Sequence, residues 1–334
     1  AKRTKLHISK EGLNNSAAKT VLVGDILYAL YGATSGEVSI SKINGAINQA
    51  ILAIRAIDND DHYLIAELLK AQKDKIINTY LQGGQGNLSG TIVKQLLIRL
   101  PIDKTEQGRI SSFLQKYDAI VNLQLGKLEK LQAMKQAYLH EMFPAEGKNV
   151  PKRRFKGFAK DWRKRRVKDI FTITRGNVLA VTKTVSKKTN TMPYPVYSSQ
   201  TKDKGLMGYY NEFLYQNAIT WTTDGANAGT VNYRKGKFYC TNVCGVLISN
   251  EGFANEMVSE ALNRVTWKHV SKVGNPKLMN NVMGEIIILL PEEIEEQKVI
   301  SEFIRNVDQT IAFQQQKLKK LKAMKQAYLH EMFV

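Results

Sequence analysis

The chain has 334 residues, longer than one hydrophobic core usually grows, so two domains are expected. Its 43% hydrophobic and 24% charged residues exclude a disordered chain, and no apolar run reaches the roughly 18 residues of a membrane span. A formal charge of +19 points to polyanions, nucleic acid first, although a merely basic soluble protein carries similar charge.

In chain order, apolar runs bounded by Gly, Asn and Asp predict strands at 21–32, 47–57 and 94–101. An amphipathic helix is expected at 62–82. Between these lie the glycine-rich turns 32–37 and 81–87, candidates for close backbone approach to DNA. After Pro101, apolar residues recur in steps of three and four from Ile110 to Met142. With no proline before Pro144, this predicts a helix of about 40 residues, near the coiled-coil period.

Residues 152–168 then carry ten Lys or Arg against one Asp, with Phe155, Phe158 and Trp162 interleaved. This is either a phosphate-binding segment or a solvated linker. Further strands are expected at 217–225, 237–249 and 284–291, a helix at 256–270 and a third turn at 225–230. After Pro291 a second long stripe runs from Ile300 to Met332. Cys240 and Cys244 sit in an apolar strand pattern; with no second pair to complete a zinc site and no disulfide framework, burial in a reducing cytoplasm is expected. No signal peptide is read at the start.

The dominant feature is a repeat. AMKQAYLHEMF occupies 133–143 and again 323–333, an offset of 190, and segment 87–143 matches 277–333 at 26 positions without a gap. Upstream, YGATSGEV at 31–38 resembles DGANAGTV at 224–231, and Asn48 corresponds to Asn242. The chain is therefore two copies of one unit, each a mixed strand-and-helix part followed by a long helix. By this alignment the first copy begins about fifty residues late, inside a domain. The expected class is mixed α/β (α+β), pseudo-two-fold symmetric, with the two long helices pairing as an antiparallel coiled coil. The expected boundaries are 1–100 and 144–290 for the globular parts and 101–143 and 291–334 for the helices.

DNA contact is expected from the basic run, at Lys152, Arg153, Arg154, Lys156, Arg163, Lys164, Arg165 and Arg166. Base readout is expected from loops, at Thr34, Ser35, Gln82 and Gln85 in the first copy and Lys202, Lys204, Trp221, Asp224, Asn227 and Arg234 in the second. The glycine turns lack the Lys-Ser or Lys-Thr ending of a nucleotide-binding loop, and no methyltransferase signature is present. Glu296 and Lys298 open a long helix with no strand-borne Asp ahead of them, so an exposed helix face is expected rather than a nuclease site. No catalytic residue, metal site or cofactor is assigned.

The stretch RFKGFAKDWRKRRVKDIF, the turn LQGGQGNLSG leading to Pro101, and the tail EQKVISEFIRNVDQTI with QQKLKKLKAMKQAYLHEMF resemble the specificity subunits of type I restriction and modification enzymes. The resemblance implies two target-recognition domains that read a bipartite double-stranded DNA sequence across a helical spacer. It further implies docking of two modification subunits, which carry S-adenosylmethionine, and of restriction subunits that use ATP, with no chemistry in this chain. The duplicated segment, with Tyr138, Phe143, Tyr328 and Phe333, is the expected docking surface, the other reading being a helix-pair core. A self-contained methyltransferase or nuclease, or a scaffold without base preference, are the competing functions.

Overall fold

The computed structural model describes residues 7–80, 87–199 and 202–333, the side chain of Lys202 excepted. The first globular part contains α1 (Lys10–Asn14), β1 (Lys19–Val21), β2 (Ile26–Ala29), β3 (Val38–Ile40), β4 (Gly45–Ile47), β5 (Ile51–Ile54), α2 (His62–Ala71), α3 (Lys73–Tyr80) and α4 (Gly90–Lys94), and leads into α5 (Lys104–Met142). The second contains β6 (Arg163–Arg166), α6 (Val167–Ile170), β7 (Thr172–Arg175), β8 (Tyr194–Tyr197), β9 (Leu206–Tyr210), β10 (Tyr215–Thr222), β11 (Val231–Cys240), β12 (Cys244–Ile248), α7 (Glu256–Asn263), α8 (Asn280–Glu285) and β13 (Ile287–Leu290), and leads into α9 (Ile294–Phe333). The class is mixed α/β, with the long central and carboxy-terminal helices that the stripes predict. Two compact units result: residues 1–127 with 314–334, and residues 128–313.

In the first unit β2 is the centre of an antiparallel sheet of order β3-β2-β5, and β1 pairs with β4. Ile26, Tyr28, Leu30 and Val38 are buried against Ile65, Ala66 and Leu69 of α2. The Asp61 side chain caps α2 by accepting from Leu64 N at 2.8 Å, which fixes its start. The helix expected at 62–82 breaks at Gln72 into α2 and α3. The strand expected at 94–101 is not formed; among the described residues nothing pairs with it. Lys94 instead ends α4, and the apolar side chains that follow have no ladder to join.

Within this unit the amino-terminal stretch of α5 lies against the carboxy-terminal stretch of α9. Leu114 and Leu329 share a buried cluster with Leu64 and Leu68, and Tyr328 packs edge to face on Phe113 at 5.3 Å and on Tyr117 at 5.7 Å. Lys325 bridges Asp118 and Glu67. Gln124 donates to Gln314, both buried, a polar pair of the kind that fixes register in helix pairs.

In the second unit β10 is the centre of a six-stranded sheet of order β7-β12-β10-β11-β8-β9, and β6 pairs with β13. The apolar run expected as one strand at 237–249 turns at 241–243 into β11 and β12, which flank β10 on opposite sides. Here too the helix stretches run antiparallel: Tyr138 meets Phe303 edge to face at 5.5 Å, and Lys135 binds Asp308. Leu139 and Met142 join Ile300 and Ile304 in the core. Asp308 and Lys135 stand at the repeat positions of Asp118 and Lys325, so the same ion pair occurs in each unit. Cys240 and Cys244 are free and buried; burial pushes both thiols up, that of Cys244 to about 11.

Candidate nucleic-acid interface

The two glycine turns that resemble each other in sequence are the same structure. In the first copy Gly36 N donates to Ala29 O, Leu30 N to Ala50 O and Leu88 N to Leu30 O; in the second, Gly229 N donates to Thr222 O, Thr223 N to Val243 O and Leu278 N to Thr223 O, all at 2.8–3.0 Å. Gly32 and Gly36, like Gly225 and Gly229, have positive φ, which glycine alone adopts at little cost. Each loop is thus clasped at both ends. A Cβ at Gly32 or Gly225 would meet nothing within 4 Å, so these two glycines present bare backbone on open space. The bond patterns also correct one correspondence. Asn48 O accepts from Ile51 N as Thr241 O accepts from Cys244 N, so Asn48 matches Thr241 and not Asn242.

The expected readout residues divide on this frame. Thr34 is exposed at the first loop, and Asp224 and Asn227 are half-buried at the second. Asp224 accepts from Thr223 Oγ1 at 2.6 Å, and Asn227 donates to Ser199 O at 3.3 Å. Ser35 is buried, its hydroxyl donating to Leu30 O, and so holds the loop rather than facing DNA. Trp221 is 1% exposed, with its ring over Gly245 and Nε1 donating to Leu278 O at 2.9 Å; it supports the loop from below and cannot read a base edge. Arg234 is also buried, its guanidinium 3.7 Å from the Tyr197 ring centroid. Lys204 is exposed in a left-handed turn, with Nζ 3.1 Å from Asp308. Gln82 and Gln85 lie outside the described residues, as does the side chain of Lys202.

The basic run is folded rather than a loose linker, and six of its ten cations meet carboxylates. Arg153 binds Glu141 at 2.7 Å and Lys168 binds Glu285 at 2.6 Å; Lys160, Arg163 and Arg166 reach Glu293, Glu292 and Glu285 at 3.2–3.6 Å. Arg154 makes a two-pronged bond to Glu296 at 2.7 Å on each arm, and that hydrogen bond raises its pKa. Glu296 is 1% exposed and also accepts from Trp162 Nε1 at 3.4 Å. This corrects two expectations: Glu296 does not lie on an exposed helix face, and Arg154 is a structural cation. A count of charges along the run is blind to partners more than 100 residues away.

Arg163, Lys164, Arg165 and Arg166 form β6, all four exposed. Lys152, Lys156, Lys164 and Arg165 are exposed, and among the described residues no acidic group lies within 4 Å of them. They are the cations of the run without a carboxylate partner among the described residues.

Of the expected docking residues, Phe143 is buried and the other three are half-buried. Phe143 lies edge-on to Trp162 at 5.7 Å, Tyr138 meets Phe303 edge to face with Arg153 over its ring, and Tyr328 and Phe333 pack in the helix-pair cluster of their unit. The duplicated segment is core first, because its aromatic rings close the helix pair. Sequence reasoning missed Leu123 and Phe313, which are 76% and 62% exposed and stand at the same repeat position. Their equivalence at offset 190 was the available signal.

Among the described residues no group of three or more His, Cys, Asp or Glu is arranged to hold a metal, and no helix is long and apolar enough to cross a membrane. A family model described as type I restriction modification DNA specificity domain matches residues 2–133 and again 159–323. The chain belongs to that family. As the repeat requires, this specificity-domain chain matches the model twice, once per copy.

One relative, a putative type I specificity subunit from Mycoplasma pneumoniae, is 40% identical over 124 residues, covering 36% of this chain and 65% of that protein. Another from the same organism is 31% identical over 217 residues, 63% of this chain and 75% of that protein. Across three curated relatives the specificity-domain chain spans 65%, 39% and 55% of their length. The crystal structure of a type I restriction-modification S subunit from M. genitalium has the same fold, with a TM-score of 0.69 at 18% identity over 95% of this chain and 84% of that one.

Proposed function

We propose that this chain is the DNA-sequence specificity subunit of a type I restriction-modification complex, itself non-catalytic and working in the cytoplasm. Residues 1–100 and 144–290 are the two target-recognition domains, and residues 101–143 and 291–334 are the helical spacer that sets the gap between two half-sites. The observation that carries the reading is the duplicated loop clasp at 31–38 and 224–231, which offers glycine backbone and short polar side chains twice in one conformation. Exposed Lys152, Lys156, Lys164 and Arg165 supply sequence-independent phosphate attraction.

Two modification subunits dock on the helices, each at the equivalent of Leu123 or Phe313, and bring S-adenosylmethionine; restriction subunits join through the complex and use ATP. Equivalent apolar side chains on two copies are what identical partners require. Selection from random duplexes with the assembled complex tests the reading. Two fixed half-sites with an unspecified gap are expected; enrichment of one continuous site, or of nothing, contradicts it.

A further inference from the structure

The side chain of Arg234 sits where the first copy has Ser41, since Ser41 N bonds to Asp25 O just as β11 runs beside Ala218 of β10. It is 6% exposed. Nε donates to Thr220 Oγ1 at 3.0 Å and Nη2 to the Lys204 carbonyl at 2.7 Å, which leaves donors of the five-donor fork unused. Among the described residues no carboxylate lies within 4 Å of it. A buried guanidinium is ordinarily neutralised by an acid, as Arg154 is by Glu296.

Arg234 lines a cavity of about 200 Å³ whose wall also contains Ser198, Thr222, Asn227, Thr230 and Asn232. Each of these side chains offers a hydroxyl or an amide; Thr220, Trp221 and Cys244 complete the wall, and none of the lining residues is acidic. Lys204 also lines the cavity, with its Nζ held 3.1 Å from Asp308. Asn227 and Thr230 of the clasped loop 224–231 form part of its wall. Hydroxyl and amide groups beside a cation that has no carboxylate within 4 Å among the described residues suit a tetrahedral oxyanion better than a base edge, because a base presents acceptors on one side only while a phosphate accepts from all directions.

We infer that the Arg234 cavity is a phosphate site of the second recognition domain, taking either a backbone phosphate of the DNA half-site or free inorganic phosphate. The DNA source rests on the function proposed above; the phosphate chemistry does not. Burial lowers the Arg234 pKa.

The test uses the full chain with inorganic phosphate as probe, against sodium chloride at equal ionic strength. Phosphate is expected to raise the thermal midpoint by about 2 °C or more at saturation, because a ligand bound only by the folded state stabilises it. Arg234→Met is expected to fold, since it replaces an unpaired buried charge by an apolar side chain of similar length, and to lose the phosphate-specific rise. Thr220→Val, which keeps the charge and removes the Nε acceptor, is expected to weaken it severalfold. In duplex binding, Arg234→Met lowers the salt dependence by about one phosphate contact if the source is DNA. An unchanged salt dependence together with a lost phosphate response assigns the site to free phosphate. A phosphate response no greater than that of chloride, or one that survives Arg234→Met, overturns the proposal, whatever the outcome of DNA selection.

Discussion

The two copies share a backbone and differ in what lies beneath it. Tyr28 and Trp221 occupy the same place under the loop, paired with Val38 and Val231 respectively. The Trp221 indole donates to Leu278 O, whereas the Tyr28 hydroxyl is buried with no hydrogen-bond partner among the described residues. Ser41 folds back on Ile43 O where Arg234 reaches into a polar cavity. Conserved main-chain bonds hold each loop in one shape, while the supporting side chains vary freely, so one frame can present two different surfaces. Two copies reading two unlike half-sites is the expected consequence.

The largest separation between the copies is expected at that shared position. Trp221→Ala empties a packed core and is expected to destabilise by about 4 kcal/mol, whereas Tyr28→Phe removes an unsatisfied hydroxyl and is expected to be neutral or stabilising by about 1 kcal/mol. Urea denaturation measures both; a comparable loss from each would contradict the assigned roles.

Next comes the start of the long helices. Glu296 is buried against Arg154, while its repeat partner Glu106 is exposed. Glu296→Ala leaves Arg154 unpaired and is expected to cost about 3 kcal/mol, against less than about 0.5 kcal/mol for Glu106→Ala.

Acid probes the helix segments of the second unit. Burial raises the pKa of the Asp308 carboxyl, but Lys135 and Lys204 outweigh it and hold the carboxyl below its usual 3.8. Its contribution is therefore complete above pH 3.8 and is lost as pH falls through the lowered folded value. Asp308→Asn is expected to flatten that acid limb; an unaltered limb contradicts the ion pairing. Smallest in stability are Leu123→Asp and Phe313→Asp, expected to shift it by less than about 0.5 kcal/mol while weakening capture of modification subunits.

The long helices could be read from sequence because the apolar stripe repeats twice and proline brackets it, and the loop clasp because glycine is restricted to few conformations. What escaped was pairing. Residues 94–101 look like a strand but find no partner among the described residues; Arg154, Trp162 and Glu296 are far apart in sequence and form one cluster in the fold. Trp221 and Phe143 were read as contact residues because aromatic side chains beside polar ones fit an interface and a core equally well, and only burial distinguishes them.

The central claim is mechanical: the helices set the gap. Inserting one heptad after Gly126 and another after Gln316, equivalent positions at offset 190, lengthens each helix by about 10 Å, or about 3 base pairs of duplex. Selection with the assembled complex is then expected to return the same two half-sites with a gap wider by that amount. An unchanged gap, with both half-sites still enriched, would contradict it.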